Sequence, residues 1–239
     1  MHHQQKLGTL RILVKKEQET GMNHEQQIAA VKRYTVEKLG EDSTGHGMDH
    51  INRVVKMAKK IAIGEGVDPF VPVAAAYLHD TIDEKLVANV DEAKEELWTY
   101  LEQHDFDDAD IITIMDVIAN ISFAHTLDDQ PIHLTKIGEI VRDADWLDAI
   151  GAIGIIRAIY YGGAHHEKIY DPLVKPRENM THEEYRNLED ETIINHFHEK
   201  ILKLADMMQT ATAKQIARHR QQVLENFLDE FYSEWDNEC

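Results

Sequence analysis

Residues 71–80 read VPVAAAYLHD, an apolar run rich in alanine that ends in a histidine and an aspartate. Such a run favours a buried helix, and its small side chains allow other helices to approach closely. An ionised aspartate beside it is costly to bury unless it is paired or bound to a cation. If the helix ends near Thr81, the adjacent side chains of His79 and Asp80 can both turn onto one ion, although a His-Asp pair alone is weak evidence.

Two further polar residues lie on apolar helical stripes elsewhere in the chain. His50 precedes Val54 by four residues and Asp145 follows Val141 by four, so each shares the predicted buried face of its helix. A lone buried histidine is more often a core residue hydrogen-bonded to a carbonyl than a metal ligand. Two imidazoles and two carboxylates on three inward faces, however, indicate a single convergent metal site.

The donor set of this predicted site suits one divalent cation in octahedral geometry. We expect Mn²⁺, while Mg²⁺, Fe²⁺, Ni²⁺ and Co²⁺ accept the same ligands. Four protein ligands leave coordination positions open, where a bound water becomes more acidic and a phosphoryl oxygen is polarised. The ligand set therefore favours hydrolysis of a phosphate compound.

The apolar residues recur with helical spacing nearly throughout, which predicts an all-α fold of about nine helices around one core. We expect residues 23–236 to form a single domain and residues 1–22 to be an extension of uncertain order. Residues that favour helix starts and stops give approximate boundaries. Gly64 and Gly66 end the predicted helix that contains His50. Two further helices are predicted to begin at Asn89 or Asp91 and at Asp107 or Asp108. The others are predicted to span about 134–147, 149–161 (stopped by Gly162 and Gly163), 181–208 and 210–235.

The charge of the chain limits its partners. There are 25 basic and 44 acidic residues, which gives a net charge of −19. Such a surface repels polyanions, so we expect neither a nucleic-acid polymer nor an anionic membrane as a partner. A small anionic ligand would need a local cation, which again favours a metal.

The cysteine content and hydropathy predict a cytoplasmic protein. The only cysteine is Cys239, which excludes a disulfide within one chain and a zinc site built on thiolates. No apolar run approaches the roughly 20 residues that span a bilayer. The first residues carry no apolar segment of signal-peptide type.

The combination of motifs resembles the H…HD…D signature of the HD-domain phosphohydrolase superfamily. Beyond the four signature residues, several stretches are similar to one bacterial subfamily of small nucleotide pyrophosphohydrolase-like proteins. They include DHINRV at 49–54, AAAYLHDTIDEK at 74–85 and DADWLDAIGAIGIIR at 143–157. The resemblance extends over about residues 23–235, nearly the whole chain.

The resemblance implies roles for individual residues. The metal ligands that it implies are His50, His79, Asp80 and Asp145. Asp83, with Glu84 as an alternative, is expected to orient or deprotonate the attacking water, although Glu84 could equally cap the next helix. Arg53 and Lys85 are expected to contact phosphate, with surface solvation as the alternative for Lys85.

One residue departs from the subfamily pattern, which usually has arginine directly after the position of Asp145. This chain has Trp146 there, so a guanidinium that pairs with a neighbour or contacts phosphate is missing. Some HD proteins bind a second metal through further histidines. His104 and His125 are candidates for such a site, although their polar surroundings favour exposed positions.

The resemblance implies cleavage of nucleoside triphosphates, including deoxy forms, to a monophosphate and pyrophosphate. One alternative is a nucleoside monophosphatase or a cyclic-nucleotide phosphodiesterase. Another is a non-enzymatic sensor or scaffold that retains the metal, and a third is a purely structural bundle without a metal. We also expect a homodimer as one possible assembly, because the long C-terminal helices can pack within the domain or against a second copy.

Overall fold

The computed structural model describes residues 21–42, 45, 47–82, 87, 89–127, 132–178, 180–181 and 192–237. Nine α-helices of seven or more residues lie within these ranges. They are α1 (His24–Leu39), α2 (Met48–Gly64), α3 (Phe70–Leu78), α4 (Val90–Gln103), α5 (Asp108–Asn120), α6 (Lys136–Asp148), α7 (Gly151–Ala164), α8 (Ile193–Glu199) and α9 (Ala211–Trp235). Short helical segments also occur at Phe123–Thr126, Ile201–Lys203 and Leu204–Met207. The predicted all-α fold is confirmed.

The core is centred on α3, whose residues from Pro72 to Leu78 are all buried. This helix contacts α1, α2, α5 and α6, as its small alanine side chains predicted. Within the described residues, α2 and α6 make the most extensive contact between two helices. A single apolar cluster extends from Val31 in α1 to Leu228 in α9, which confirms the predicted single core. Among the described helices, none combines the length and apolar character needed to cross a lipid bilayer.

Side-chain caps fix the starts of several helices. Asn23 begins α1 in a capping box with Gln26, and Asn89 and Asp107 begin α4 and α5. Thr210 begins α9 by accepting a hydrogen bond from a backbone N–H of the first turn. The predicted helix over 210–235 is therefore confirmed almost to the residue, whereas residues 1–20 of the predicted extension lie outside the described residues.

The predicted end of the helix after Tyr161 is wrong. Helix α7 runs through both glycines to Ala164. Gly162 lies against α8, and a Cβ placed on it would clash with the Ile193 side chain. Close packing between two helices, rather than a chain turn, thus accounts for glycine at position 162.

The continuous helix predicted over 181–208 is also wrong in its described part. Helix α8 ends at Glu199, and Lys200 leaves the helical conformation with φ of −132° and ψ of −62°. Two short helical segments then lead to Met207 before the chain turns into α9. The apolar pattern is helical on both sides of this break, so periodicity alone did not reveal it.

The start of α9 is held against α6 by a buried carboxylate. Asp143 is 0% exposed. It accepts hydrogen bonds from the backbone N–H groups of Gln209 and Thr210 and from the Thr210 hydroxyl, at distances between 2.7 and 3.1 Å. Burial raises the pKa of Asp143, and these hydrogen bonds oppose the shift. Asp143 therefore has a structural role, although it lies only two positions before Asp145.

Candidate metal centre

Three segments bring the predicted metal ligands together. His50 lies in the first turn of α2, and Asp145 lies near the end of α6, on the helix that packs against α2. Helix α3 ends at Leu78, and Thr81 turns back to bond the Leu78 carbonyl through both its N–H and its hydroxyl. This early end allows the adjacent side chains of His79 and Asp80 to approach the same point.

The distances among the ligand atoms are those of a small coordination cage. The two Nε2 atoms of His50 and His79 lie 3.3 Å apart. The Oδ2 atom of Asp80 lies 3.5 Å from the first of them and 3.3 Å from the second. The Oδ1 atom of Asp145 lies 3.5 and 3.8 Å from the same two nitrogens. Adjacent ligands of an ion bound at about 2.1 Å are roughly 3 Å apart, so small side-chain movements would close this set around a cation.

This cluster is distinct within the described part of the chain. There, His50, His79 and Asp145 form the one group of three metal-ligating side chains whose donor atoms all lie within 4.8 Å of one another. Asp80 borders the same two imidazoles. The exposed fraction of the side chain rises from 1% for His50 and 3% for His79 to 13% for Asp80 and 29% for Asp145. The site is therefore closed on its histidine side and open to solvent at Asp145.

Both imidazoles are oriented by acceptors on their far side. Nδ1 of His50 lies 2.8 Å from Asp148 Oδ2, and Nδ1 of His79 lies 2.9 Å from the Ala76 carbonyl. A carboxylate and a carbonyl only accept hydrogen bonds here, so each Nδ1 carries the proton. In the neutral tautomer each Nε2 then presents its lone pair to the cluster. This arrangement is typical of metal-binding histidines.

The charges around His50 favour a cation. Burial alone lowers the pKa of His50, but hydrogen bonds to Asp148 and Asp80 raise it to about 9. Burial alone would raise the pKa of Asp148, whereas hydrogen bonds from His50 and Arg53 hold it well below its usual range. A divalent ion would therefore compete with a proton for a position that already attracts positive charge. The donor set and its charge fit a divalent metal.

Two arginines, Arg53 and Arg157, form ion pairs with Asp148. Arg53 donates from Nε and Nη2 to the two Asp148 oxygens at 2.7 and 3.0 Å, and from Nη1 to Asp49 at 2.9 Å. Arg157 places Nη1 at 3.3 Å from Asp148 and donates from Nη2 to the Gly45 carbonyl. These contacts favour a role for Arg53 in holding Asp148, and its predicted contact with phosphate remains a prediction.

Sequence reasoning missed Asp148, the buried carboxylate that orients His50. It follows Asp145 by three residues, so the two lie on neighbouring parts of the same helix face. A second acidic residue on an inward face was a usable signal. The identity of its partner could not be predicted, because His50 is 98 positions away and meets Asp148 only when α2 packs on α6.

The other predicted site residues have different positions. Asp83, Glu84 and Lys85 lie outside the described residues. His104 lies at the end of α4, where Nδ1 is 2.7 Å from the Tyr100 carbonyl, and it is not a member of the ligand cluster found among the described residues. His125 and Trp146 line a separate cavity beside α6. The second metal proposed from His104 or His125 gains no support from these positions.

Comparisons with known proteins agree with this architecture. The chain is 44% identical to a protein from Lactobacillus plantarum of known structure, with a TM-score of 0.81 over 90% of this chain and 100% of that one. It is 33% identical to the structure of an HD-superfamily hydrolase from Bacillus thuringiensis, with a TM-score of 0.70 over 90% and 99% of the two chains.

A third relative carries a nucleotide. The uncharacterized protein YpgQ of Bacillus subtilis is 30% identical over 209 residues, which cover 87% of this chain and 93% of YpgQ. The structure of YpgQ in complex with ADP gives a TM-score of 0.72 at 29% identity, over 89% of this chain and 97% of that one. No family model matches the chain.

Proposed function

The chain belongs to the HD superfamily of metal-dependent hydrolases, and we propose that it cleaves nucleoside triphosphates, including deoxy forms, to a monophosphate and pyrophosphate. The resident cofactor in this proposal is one divalent cation, with Mn²⁺ as the expected ion and Mg²⁺, Fe²⁺, Ni²⁺ or Co²⁺ as alternatives. Its ligands are His50, His79, Asp80 and Asp145.

The observation that carries the proposal is the cage of four donor atoms. Two imidazole nitrogens lie 3.3 Å apart and each has a carboxylate oxygen of Asp80 and of Asp145 within 3.8 Å. A cation held there would polarise a phosphoryl oxygen and lower the pKa of a bound water. The ADP in the related YpgQ structure supports a nucleotide as the source of that phosphoryl group.

The protein residues around the cage supply orientation and charge. Asp148 and the Ala76 carbonyl fix the rings of His50 and His79, so that both Nε2 atoms face the same point without reorganisation during the reaction. The more exposed Asp145 marks the side from which a charged substrate can enter. The negative surface of the protein repels this substrate elsewhere, which makes the cation the main point of attraction.

Proton transfer and phosphate binding are assigned to three residues that follow α3 in sequence and to Arg53 in α2. We propose that Asp83, with Glu84 as the alternative, accepts a proton from the attacking water. Lys85 would then bind a phosphate as a point charge, and Arg53 would contribute a further contact from its exposed side. The roles of Asp83 and Glu84 rest on the family resemblance, and those of Lys85 and Arg53 rest on their nearness in sequence to the proposed metal ligands.

The proposal is tested by identifying the products of a nucleotide panel. The purified protein is loaded with Mn²⁺, incubated with ribo- and deoxyribonucleotides, and every product is separated by chromatography. We expect monophosphate and pyrophosphate in equal amounts from at least one triphosphate, with turnover abolished in Asp80→Ala. Asp229→Asn, a change on the exposed face of α9, should retain full activity and controls for loss of acidic charge.

Other products would contradict the proposed reaction in distinct ways. Orthophosphate from monophosphates would indicate a nucleoside monophosphatase, and a linear product from a cyclic nucleotide would indicate a phosphodiesterase. Bound metal without any turnover would favour a sensor or scaffold. Each of these results would be consistent with the proposed metal centre and would contradict the proposed cleavage of triphosphates to a monophosphate and pyrophosphate.

A further inference from the structure

A separate cavity of about 330 Å³ lies beside the metal centre. It opens between the end of α5, the helical turn Phe123–Thr126 and one face of α6. Trp146 lines this cavity, whereas the preceding residue, Asp145, does not. Adjacent residues on a helix point about 100° apart, so α6 presents Asp145 to the metal centre and Trp146 to the cavity.

Among the described residues that line this cavity, Arg142 is the one with a cationic side chain of the Lys/Arg type. Its guanidinium carbon lies 4.7 Å from the centre of the Trp146 ring. Its Nε is buried and has no hydrogen-bond partner. Burial lowers the pKa of Arg142, with Asp143 and Glu139 acting in the opposite direction. The guanidinium is therefore a poorly solvated cation whose Nε–H has no acceptor. Buried donors in folded proteins normally have one.

The stacking of Arg142 on Trp146 determines what it can bind. A guanidinium uses its flat face against an aromatic ring and keeps its N–H donors at its edge. Those edge donors match the spacing of two oxygens on a tetrahedral or planar oxyanion. Trp146 is only 2% exposed, so it positions the arginine and offers little surface to a ligand.

The other polar residues on the wall suit an anion with several oxygens. The imidazoles of His125 and His133 and the amide of Gln209 border the same cavity. The wall also carries one carboxylate, Glu139, whose Oε2 is paired with Lys136 Nζ at 3.4 Å. A phosphate group, which has more acceptor oxygens than a carboxylate, can engage an arginine edge and two imidazoles together.

We propose that this cavity is a second binding site, which takes a phosphate group on the edge of Arg142 while Trp146 holds the guanidinium in place. The site is separate from the four proposed metal ligands and does not depend on which phosphate bond the metal centre cleaves. The phosphate belongs either to free inorganic phosphate or to the phosphate chain of a bound nucleotide. Both have the same chemistry at Arg142.

Fluorescence of Trp146 tests the proposal directly. The chain contains three tryptophans. In the variant Trp98→Phe/Trp235→Phe, Trp146 is the only one left and reports on this cavity. Inorganic phosphate is titrated into this metal-loaded, full-length variant. The titration is then repeated with a variant that also carries the substitution Arg142→Gln. Arg218→Gln, on the exposed face of α9, is the control that removes one positive charge elsewhere. Circular dichroism checks that every variant keeps its helical content.

We expect a saturable change in Trp146 fluorescence, with an apparent dissociation constant that rises at least about tenfold in Arg142→Gln and is unchanged in Arg218→Gln. An intermediate value for Arg142→Lys, which keeps the charge and loses the planar edge, would support the same assignment. No saturable change, or equal affinity in Arg142→Gln, would overturn the proposal.

Competition with ADP identifies the source of the phosphate. If ADP displaces inorganic phosphate from the Trp146 site and its affinity also falls in Arg142→Gln, the cavity takes the phosphate chain of a nucleotide. If both bind at once, the cavity takes free phosphate. These binding readouts need no turnover, so a failure of the proposed triphosphate hydrolysis would leave them interpretable.

Discussion

The Oδ2 atom of Asp148 lies 2.8 Å from Nδ1 of His50, and both side chains are almost completely buried. This contact connects α6 to α2 at the point where the metal centre forms. It fixes the tautomer and the ring orientation of His50. The assembly of the site therefore depends on the packing of these two helices as much as on the ligands themselves.

Asp148→Asn should weaken metal binding by about 10- to 100-fold, because the amide provides a poorer acceptor for His50 Nδ1–H and removes the charge that Arg53 and Arg157 face. Isothermal titration of the metal-free protein with Mn²⁺ measures this change. Asp49→Asn is the matched control, since the Asp49 side chain is 78% exposed and pairs with Arg53 through Nη1, which does not contact Asp148 in the hydrogen bonds above. Equal losses in both variants would contradict the special role of Asp148.

Arg53→Gln separates two roles for this arginine. Because Arg53 donates two hydrogen bonds to Asp148, we expect lower Mn²⁺ affinity together with lower kcat. A residue that only bound substrate phosphate would instead raise KM and leave the affinity for Mn²⁺ unchanged. Titration with Mn²⁺ in the absence of nucleotide, followed by steady-state kinetics at saturating metal, distinguishes the two results.

Asp143→Ala should destabilise the fold by about 2–3 kcal/mol, since it leaves three donors near the start of α9, two of them buried, without their acceptor. Urea unfolding followed by circular dichroism measures the free energy of unfolding. Asp229→Ala removes an exposed carboxylate from α9 and should change this free energy by less than about 0.5 kcal/mol. A similarly small effect of Asp143→Ala would contradict its structural role.

Glu65 should make the stability of the protein depend on acid pH. Its carboxylate accepts hydrogen bonds from the Thr212 N–H and hydroxyl, both at 2.8 Å, and pairs with Lys136 at 2.9 Å. The hydrogen bond from the Thr212 backbone, with the help of Lys136, lowers the pKa of Glu65 from 4.5 to about 2.

Since the folded pKa is the lower one, this contact stabilises the protein above pH 4.5, and the stabilisation is lost as the pH falls towards 2. The difference in Tm between the wild type and Glu65→Gln should therefore be largest near neutral pH and shrink through this range. Glu234→Gln, an exposed change at the end of α9, is the control. A difference in Tm that stays constant from pH 7 to pH 2 would contradict the assignment.

The elements that sequence reasoning predicted best are those with local signals. Asn89 and Asp107 cap their helices through their own first turns, and His50 lies on the apolar stripe of α2. Sequence reasoning also supplied the condition for a shared ion, a helix end near Thr81, and α3 ends three residues earlier at Leu78. Each of these features is decided within a few residues of chain.

The features that could not be predicted depend on contacts between distant segments. Gly162 continues α7 because it packs against Ile193, and the chain breaks at Lys200 where α8 meets the segment that leads to α9. Asp148 acquires its role only from His50 and Arg53, which lie on α2. The cytoplasmic location and the homodimer remain predictions from the sequence.

The most direct test of the account is the metal content of the ligand variants. Protein purified with Mn²⁺ and desalted is analysed by inductively coupled plasma mass spectrometry, with His79→Ala, Asp80→Ala, Asp145→Ala and Asp229→Asn beside the wild type. We expect close to one ion per chain in the wild type and in Asp229→Asn, and a loss of most of the metal in the other three variants, with helical content retained. Stoichiometric metal in all of them, or none in the wild type, would contradict the proposed centre.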